Sequence, residues 1–149
     1  MGNYNRIDCL ILNAGINAHF SFSKHQDLEV FEALMRTNFH SNVHITKYAL
    51  PHLKKSKGKL VGISSLSGKF GLPSRSAYCA SKFAFTGFME ALRTEEDLSI
   101  MMVYPTSLET PMRSHSLVKG EAEEEGKGSK REDPRRCAEM VVKGIESGA

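Results

Sequence analysis

The stretch S-L-S-G-K-F-G-L-P-S-R-S-A-Y-C-A-S-K, Ser65 to Lys82, decides how the rest of the chain is read. Tyr78 and Lys82 are four residues apart, so on a helix they stand one above the other on the same face. Ser65 precedes Tyr78 by thirteen residues and follows an apolar, strand-like run, Leu60 to Ser64. A phenol beside an ammonium, with a hydroxyl nearby, is a proton-transfer set. The ammonium is expected to favour the phenolate and draw its pKa down from about 10, and the hydroxyl to hold a carbonyl or alcohol oxygen. The residues alone leave Ser64, Ser65 and Ser67 open for the serine role.

Working outward, other short patterns stand in a fixed order. They are L-I-L-N-A-G (Leu10 to Gly15), T-N-F-H-S-N (Thr37 to Asn42), G-K-L-V-G-I-S-S (Gly58 to Ser65), Y-C-A-S-K-F-A (Tyr78 to Ala84) and P-T-S-L-E-T-P-M (Pro105 to Met112). Together they resemble the short-chain dehydrogenase/reductase family over residues 6 to 112, nearest its 11-beta-hydroxysteroid dehydrogenase-like group. A lone Y-x-x-x-K occurs by chance on many helices. Its company is what makes the resemblance specific.

The resemblance implies an α/β fold, a partial Rossmann-like doubly wound parallel sheet with flanking helices. It also implies an oxidoreductase that moves a hydride between NAD or NADP and a carbonyl or alcohol of a lipophilic, steroid-like or retinoid-like substrate. By the same resemblance Tyr78 gives or takes the oxygen-bound proton, and Lys82 lowers the Tyr78 pKa and bonds the nicotinamide ribose. Ser65 orients the substrate oxygen. Asn38 fills the fourth catalytic position, its backbone carbonyl freed by a helix kink to hold a relay water. Asn13, Ala14 and Gly15 approach the adenosine side of the cofactor, Pro105 closes the last strand beside it, and Thr110 bonds the nicotinamide amide. The family has Pro-Gly where this chain has Pro105-Thr106, which matters if that position needs a positive φ. The two long helices imply a homo-oligomer.

No G-x-x-x-G-x-G or G-x-G-x-x-G occurs in the 149 residues, whereas a complete dinucleotide-binding domain opens with such a turn to cradle the pyrophosphate. The resemblance places Met1 to Arg6 just before the family's fourth strand, so the expectation is a truncated form without the first three strands. The residues that choose NAD or NADP then lie outside the chain. The activity is expected of the complete family member and not of these 149 residues alone; the alternative function is a catalytically silent truncated form that dimerises with a full-length relative.

The remaining elements follow from pattern. Ile7 to Leu12 and Gly58 to Ser64 are near-continuous apolar runs, expected as buried parallel strands, and Ser99 to Tyr104 as a final one. Asp27 is placed to cap a long helix whose apolar period runs from Leu28 to Leu50 and which ends before Lys57-Gly58. Ser76 to Arg93 carries apolar residues on more than one face and so must be buried on more than one side. Phe70 and Leu72, in the Lys69 to Arg75 loop, are candidates to line an apolar pocket. Residues 113–133 are read as a flexible, lid-like loop within a single partial domain, 1–149. Asp133 then caps a last helix with Pro134 at its first position.

Composition excludes several classes. A net charge of +3 is too small to argue for nucleic acid. Cys9, Cys79 and Cys137 are odd in number and unclustered, which fits reduced thiols rather than a disulfide framework or zinc site. His40 and His44 make an H-x-x-x-H pair with no third ligand, so no metal is expected. No apolar run is long enough for a membrane span, and no targeting signal is seen. The expected location is cytoplasmic or on the surface of an intracellular membrane.

Overall fold

The three apolar runs form three parallel strands, β1 (Cys9–Leu12), β2 (Lys59–Ile63) and β3 (Ser99–Val103), in the order β1-β2-β3. The computed structural model describes residues 6–24, 27–112, 114–118 and 131–147. Leu10, Leu60 and Ile100 align across the sheet, as do Leu12, Gly62 and Met102. Side chains alternate along a strand, so these two rows face the same way. They pack on Ala49, Leu53, Phe85, Met89 and Leu92. Leu53, Leu60, Phe85 and Met89 are fully buried, each worth about 1.5–3 kcal/mol relative to exposure.

The helices are α1 (Glu29–Met35), α2 (Ser41–Ser56), α3 (Ser76–Glu95) and α4 (Pro134–Ser147). A π-turn, Arg36–His40, joins α1 to α2, so the expected long helix is one rod with a changed register in the middle. Asp27 Oδ1 accepts a hydrogen bond from the Glu29 amide at 2.7 Å. Asp133 does the same for the Arg135 amide at 2.9 Å. Asp133 directly precedes α4, as the sequence has it, whereas the N-cap of α1 is Leu28 and Asp27 stands one residue earlier. α2 and α3 cover one face of the sheet. α4 lies on the other, where Gly144 backs onto Met101 and Lys59 Nζ donates to the Ile145 carbonyl. The arrangement is a parallel sheet with helices on both faces.

Two strands differ from expectation. β1 and β3 were expected buried, but only β2 is covered throughout: Leu60, Val61 and Gly62 are buried, whereas Cys9 and Ile11 are exposed and β3 is half-buried. The reason is position, since both are edges of a three-stranded sheet. α4 covers the second face only in part and has no buried residue of its own.

The close of α2 depends on a glycine. Lys57 is left-handed, with φ 53°, and the Gly58 amide then donates to the Leu53 carbonyl at 2.8 Å. A Cβ at Gly58 would stand 2.8 Å from the Asp8 carbonyl oxygen and 2.9 Å from that of Ile7. Backbone atoms cannot swing away. Gly58→Ala is therefore expected to cost about 1–3 kcal/mol, read as a lower urea midpoint at unchanged m-value. A midpoint equal to the wild type would show that β1 yields freely there.

Candidate active site

Parallel strands put their carboxyl ends, and the loops that follow, on one edge of the sheet. Here β1 runs into Asn13-Ala14-Gly15, β2 into Ser64-Ser65, and β3 into Tyr104-Pro105. These loops and the start of α3 enclose a cavity of about 510 Å3. Its walls include Asn13, Ala14, Gly15, Ser65, Tyr78, Lys82, Pro105 and Thr110, so every nominated site residue but Asn38 meets in one space. Leu66, Leu72, Arg75 and Met112 line it as well. Phe70 is not in the wall and is 63% exposed.

Packing fixes the start of α3. Tyr78 and Ala77 belong to a buried cluster with Ala18, Phe20, Val30 and Leu34, which ties the loop after β1 and helix α1 to the tyrosine. Burial pushes the Tyr78 phenol above its ordinary pKa; a hydrogen bond from Ser65 and the Arg75 guanidinium draw it down, and Cys79 adds a smaller upward push. The expectation that Lys82 would bring the phenol down is corrected: burial outweighs Ser65 and Arg75, Lys82 is not among the groups that draw the phenol down, and its Nζ lies 5.9 Å from the ring centroid. Lys82 itself is buried and donates to the Ile63 carbonyl at 3.2 Å. Burial lowers its pKa from 10.5 to about 8.

The three serines separate by what they touch. Ser64 Oγ is 3.0 Å from Thr86 Oγ1 within α3, and Ser67 is buried with its amide bonded to Ser65 Oγ at 3.1 Å. Ser65 alone of the three meets the Tyr78 phenol.

Asn38 stands behind the cavity, fully buried in the π-turn. Its Nδ2 donates to the Ile16 carbonyl at 3.0 Å and to Ser81 Oγ at 2.9 Å, and its Oδ1 accepts from the Ile16 amide at 2.8 Å. Ser81 Oγ donates in turn to the Tyr78 carbonyl at 2.8 Å. The side chain thus joins the loop after β1 to the turn of α3 that carries Tyr78. The resemblance placed the weight on the Asn38 backbone carbonyl; that oxygen accepts from Asn42 Nδ2 at 2.8 Å and has a second lone pair. Ile16, Ser81 and Asn42 were missed as partners. Only Asn42, four residues after Asn38, had a local spacing that could have signalled it.

Two further points bear on ligand space. A Cβ at Gly15 would fall 3.3 Å from Asn38 Oδ1 and 3.5 Å from Lys82 Nζ, so the glycine keeps the floor beside the ammonium clear. Thr106 is not among the positive-φ residues of the described chain, which are Lys57 and Ser74; the position needs no glycine. Of the expected lid, residues 113 and 119–130 lie outside the described residues. What is described is paired: the Leu117 amide donates to the Asn17 carbonyl at 2.9 Å and the Glu132 amide to that of Ser107 at 3.0 Å. Among the described residues no group of three or more His, Cys, Asp or Glu could hold a metal, and no helix is long and apolar enough to cross a membrane.

A parallel sheet with helices on both faces and a tyrosine–lysine pair at its carboxyl edge is a partial Rossmann-like α/β arrangement. A family model described as short chain dehydrogenase matches residues 1–119, and the chain belongs to the short-chain dehydrogenase family. It is similar to 11-beta-hydroxysteroid dehydrogenase-like 4A of Arabidopsis thaliana, 33% identical over 150 residues, with 99% of this chain and 50% of the relative covered. It is also similar to 3-ketodihydrosphingosine reductase of Dictyostelium discoideum, 34% identical over 151 residues, with 96% of this chain and 45% of the relative covered. Among solved structures, a short-chain dehydrogenase from Escherichia coli CFT073 complexed with NADPH superposes with a TM-score of 0.69 at 34% identity, covering 77% of this chain and 49% of that one. The chain spans about half the length of the curated relatives it matches.

Proposed function

We propose that this chain supplies the proton-transfer machinery of a nicotinamide-dependent oxidoreductase acting on a carbonyl or alcohol of a lipophilic substrate. The observation that carries the reading is the convergence of Ser65, Tyr78 and Lys82 on one cavity at the carboxyl edge of the sheet. The relatives named for hydroxysteroid and ketodihydrosphingosine chemistry support the lipophilic class, and the NADPH complex of the Escherichia coli structure supports a nicotinamide.

The residues present fit the nicotinamide end of that cofactor, whereas the Gly-rich turn that would cradle its pyrophosphate is not among the 149 residues. The cavity is of ligand size, Gly15 leaves its floor open beside the Lys82 ammonium, and Asn13, Thr106 and Thr110 offer polar groups along the wall. Lys82 and Thr110 would hold the nicotinamide end. When bound, the nicotinamide supplies or takes the hydride. The protein's own part is position and proton transfer. Ser65 Oγ orients the substrate oxygen, and Tyr78 transfers a proton to or from it. Because burial raises the phenol pKa, Tyr78 keeps its proton at neutral pH and serves as the acid that reduction of a carbonyl requires. Asn38 acts through Ser81, fixing the turn that presents Tyr78.

The apolar outer faces of α2 and α3 favour a second role, self-association: Ile45 is 46%, Tyr48 76% and Phe83 44% exposed. The silent-partner reading rests on that surface. Titration of the purified chain with NADH and NADPH side by side, followed by fluorescence, separates the two. Micromolar binding of either cofactor supports the oxidoreductase reading and calls for a screen of lipophilic ketones. Absence of binding to millimolar cofactor in a folded chain overturns the oxidoreductase reading and leaves association as the role.

A further inference from the structure

Asn17 lies in the loop after β1 and belongs to the cavity wall. The residue is 3% exposed, yet its Oδ1 is enclosed and accepts no hydrogen bond. Its backbone is fixed. The Asn17 carbonyl accepts from the Leu117 amide at 2.9 Å and from Ser116 Oγ at 3.3 Å, and its neighbour Ala18 packs in the cluster that holds Tyr78. The Asn38 carboxamide behind the cavity is by contrast fully used, by Ile16 and Ser81. Thr46 Oγ1 is also unpartnered, but Thr46 is not in the cavity wall. Asn17 is thus held in place while its side-chain oxygen is left over.

Folded proteins pair nearly all their buried polar side chains, because an unpaired one keeps the cost of leaving water. An unpaired carboxamide in the wall of a ligand-sized cavity is accounted for by a group on the ligand. The atom left over is an acceptor, so its partner must bring an O–H or N–H. The described wall carries Arg75 and Lys82 and no carboxylate, which repels a cationic donor such as an ammonium. A neutral hydroxyl fits. Resting on the oxidoreductase reading above, we propose that the substrate is a hydroxy ketone, or the corresponding diol, whose second hydroxyl donates to Asn17 while its reacting oxygen lies with Ser65 and Tyr78. The carboxamide meets that hydroxyl by turning about its last side-chain bond, a soft torsion. Asn17, Ser65 and Tyr78 line one cavity, and Ala18 packs with Tyr78, so the two oxygens are near neighbours on the substrate.

The test is equilibrium binding to the whole chain, without cofactor, of medium-chain alpha-hydroxy and beta-hydroxy ketones and their methyl ethers, followed by ligand NMR. An ether keeps the oxygen and loses the donor. One of the hydroxy ketones is expected to bind roughly tenfold more tightly than its ether, the effect of one hydrogen bond to a buried acceptor. Asn17→Ala is expected to erase that difference. Asn17→Asp, which keeps an acceptor of the same shape, is expected to retain it. The ratio of hydroxy ketone to ether is the readout, because a residue that only supports the loop would weaken both probes alike. Equal binding of each pair to the wild type overturns the proposal and leaves the carboxamide to a buried water. A preference that persists in Asn17→Ala, or no binding of any probe to a folded chain, also overturns it. So does a tenfold or greater loss of NADPH affinity in Asn17→Ala, which assigns the carboxamide to the cofactor. A hydroxyl preference in a chain that binds no nicotinamide leaves the Asn17 site standing and fails the oxidoreductase reading alone.

Discussion

Tyr78→Phe is expected to slow carbonyl reduction about 10³-fold, the middle of the range for a positioned general acid, while the fold stays intact. The substitution removes one oxygen. The ring remains in its buried cluster with Ala18, Phe20 and Ala77, and Ser65 Oγ keeps its bond from the Ser67 amide. The stability cost is that of one buried hydrogen bond, about 1 kcal/mol. Nicotinamide affinity is expected to stay within a few-fold of wild type, because Lys82 and the Gly15 floor are untouched. The wild-type rate carries its own signature. With the phenol pKa raised above its ordinary value by burial, the loss of rate that belongs to the phenol is expected only beyond about pH 10, and an earlier fall near pH 8 reports the Lys82 ammonium. The assay is steady-state reduction at saturating NADPH across that range, with thermal unfolding of both proteins alongside. A variant that keeps more than a tenth of the wild-type rate removes Tyr78 from the chemistry.

What the sequence made legible was what local spacing controls. The four-residue step from Tyr78 to Lys82, the Asp133 cap, and the three apolar runs all come from neighbours along the chain. The rest depended on contacts between distant segments. Nothing in R-T-N-F-H marks a π-turn, since it holds neither Gly nor Pro. Asn38 is held there by Ile16, 22 residues before it, and Ser81, 43 after it. Likewise the residues by themselves could not tell Ser65 from Ser64; the resemblance named Ser65, and the structure shows Thr86 engaging Ser64. The phenol pKa was misread for the same reason. Spacing puts Lys82 near the phenol, but the burial that raises the phenol belongs to the packed cluster around Tyr78. The exposure of β1 and β3 was hidden too, because apolar content does not say how many neighbours a strand has.

Lys82→Met should stabilise the fold as it abolishes the site. The wild-type ammonium is held at a pKa of about 8 against an ordinary 10.5, through burial. Between those values the unfolded chain binds more protons than the folded one, so stability rises with pH across that window. Below about pH 8 the penalty is fully present, roughly 3 kcal/mol at the linkage rate of about 1.4 kcal/mol per pKa unit. Methionine follows the same path beside Phe85 without the charge, but leaves the Ile63 carbonyl without its donor, which returns about 1 kcal/mol. A net gain near 2 kcal/mol is expected at pH 7. Urea unfolding at pH 7 and pH 10 tests it: the wild type should gain stability between the two, the variant should not, and the curves should converge. Past pH 10 the Tyr78 phenol acts in the opposite sense. Its folded pKa is raised, so the unfolded chain releases that proton first and stability declines. A wild-type profile with no rise between pH 8 and 10 would mean that the ammonium is not held against its solvation. If the rise is found, Lys82 is maintained at a cost to the fold, and the physical reason to keep a charge there is the ligand that its cavity faces.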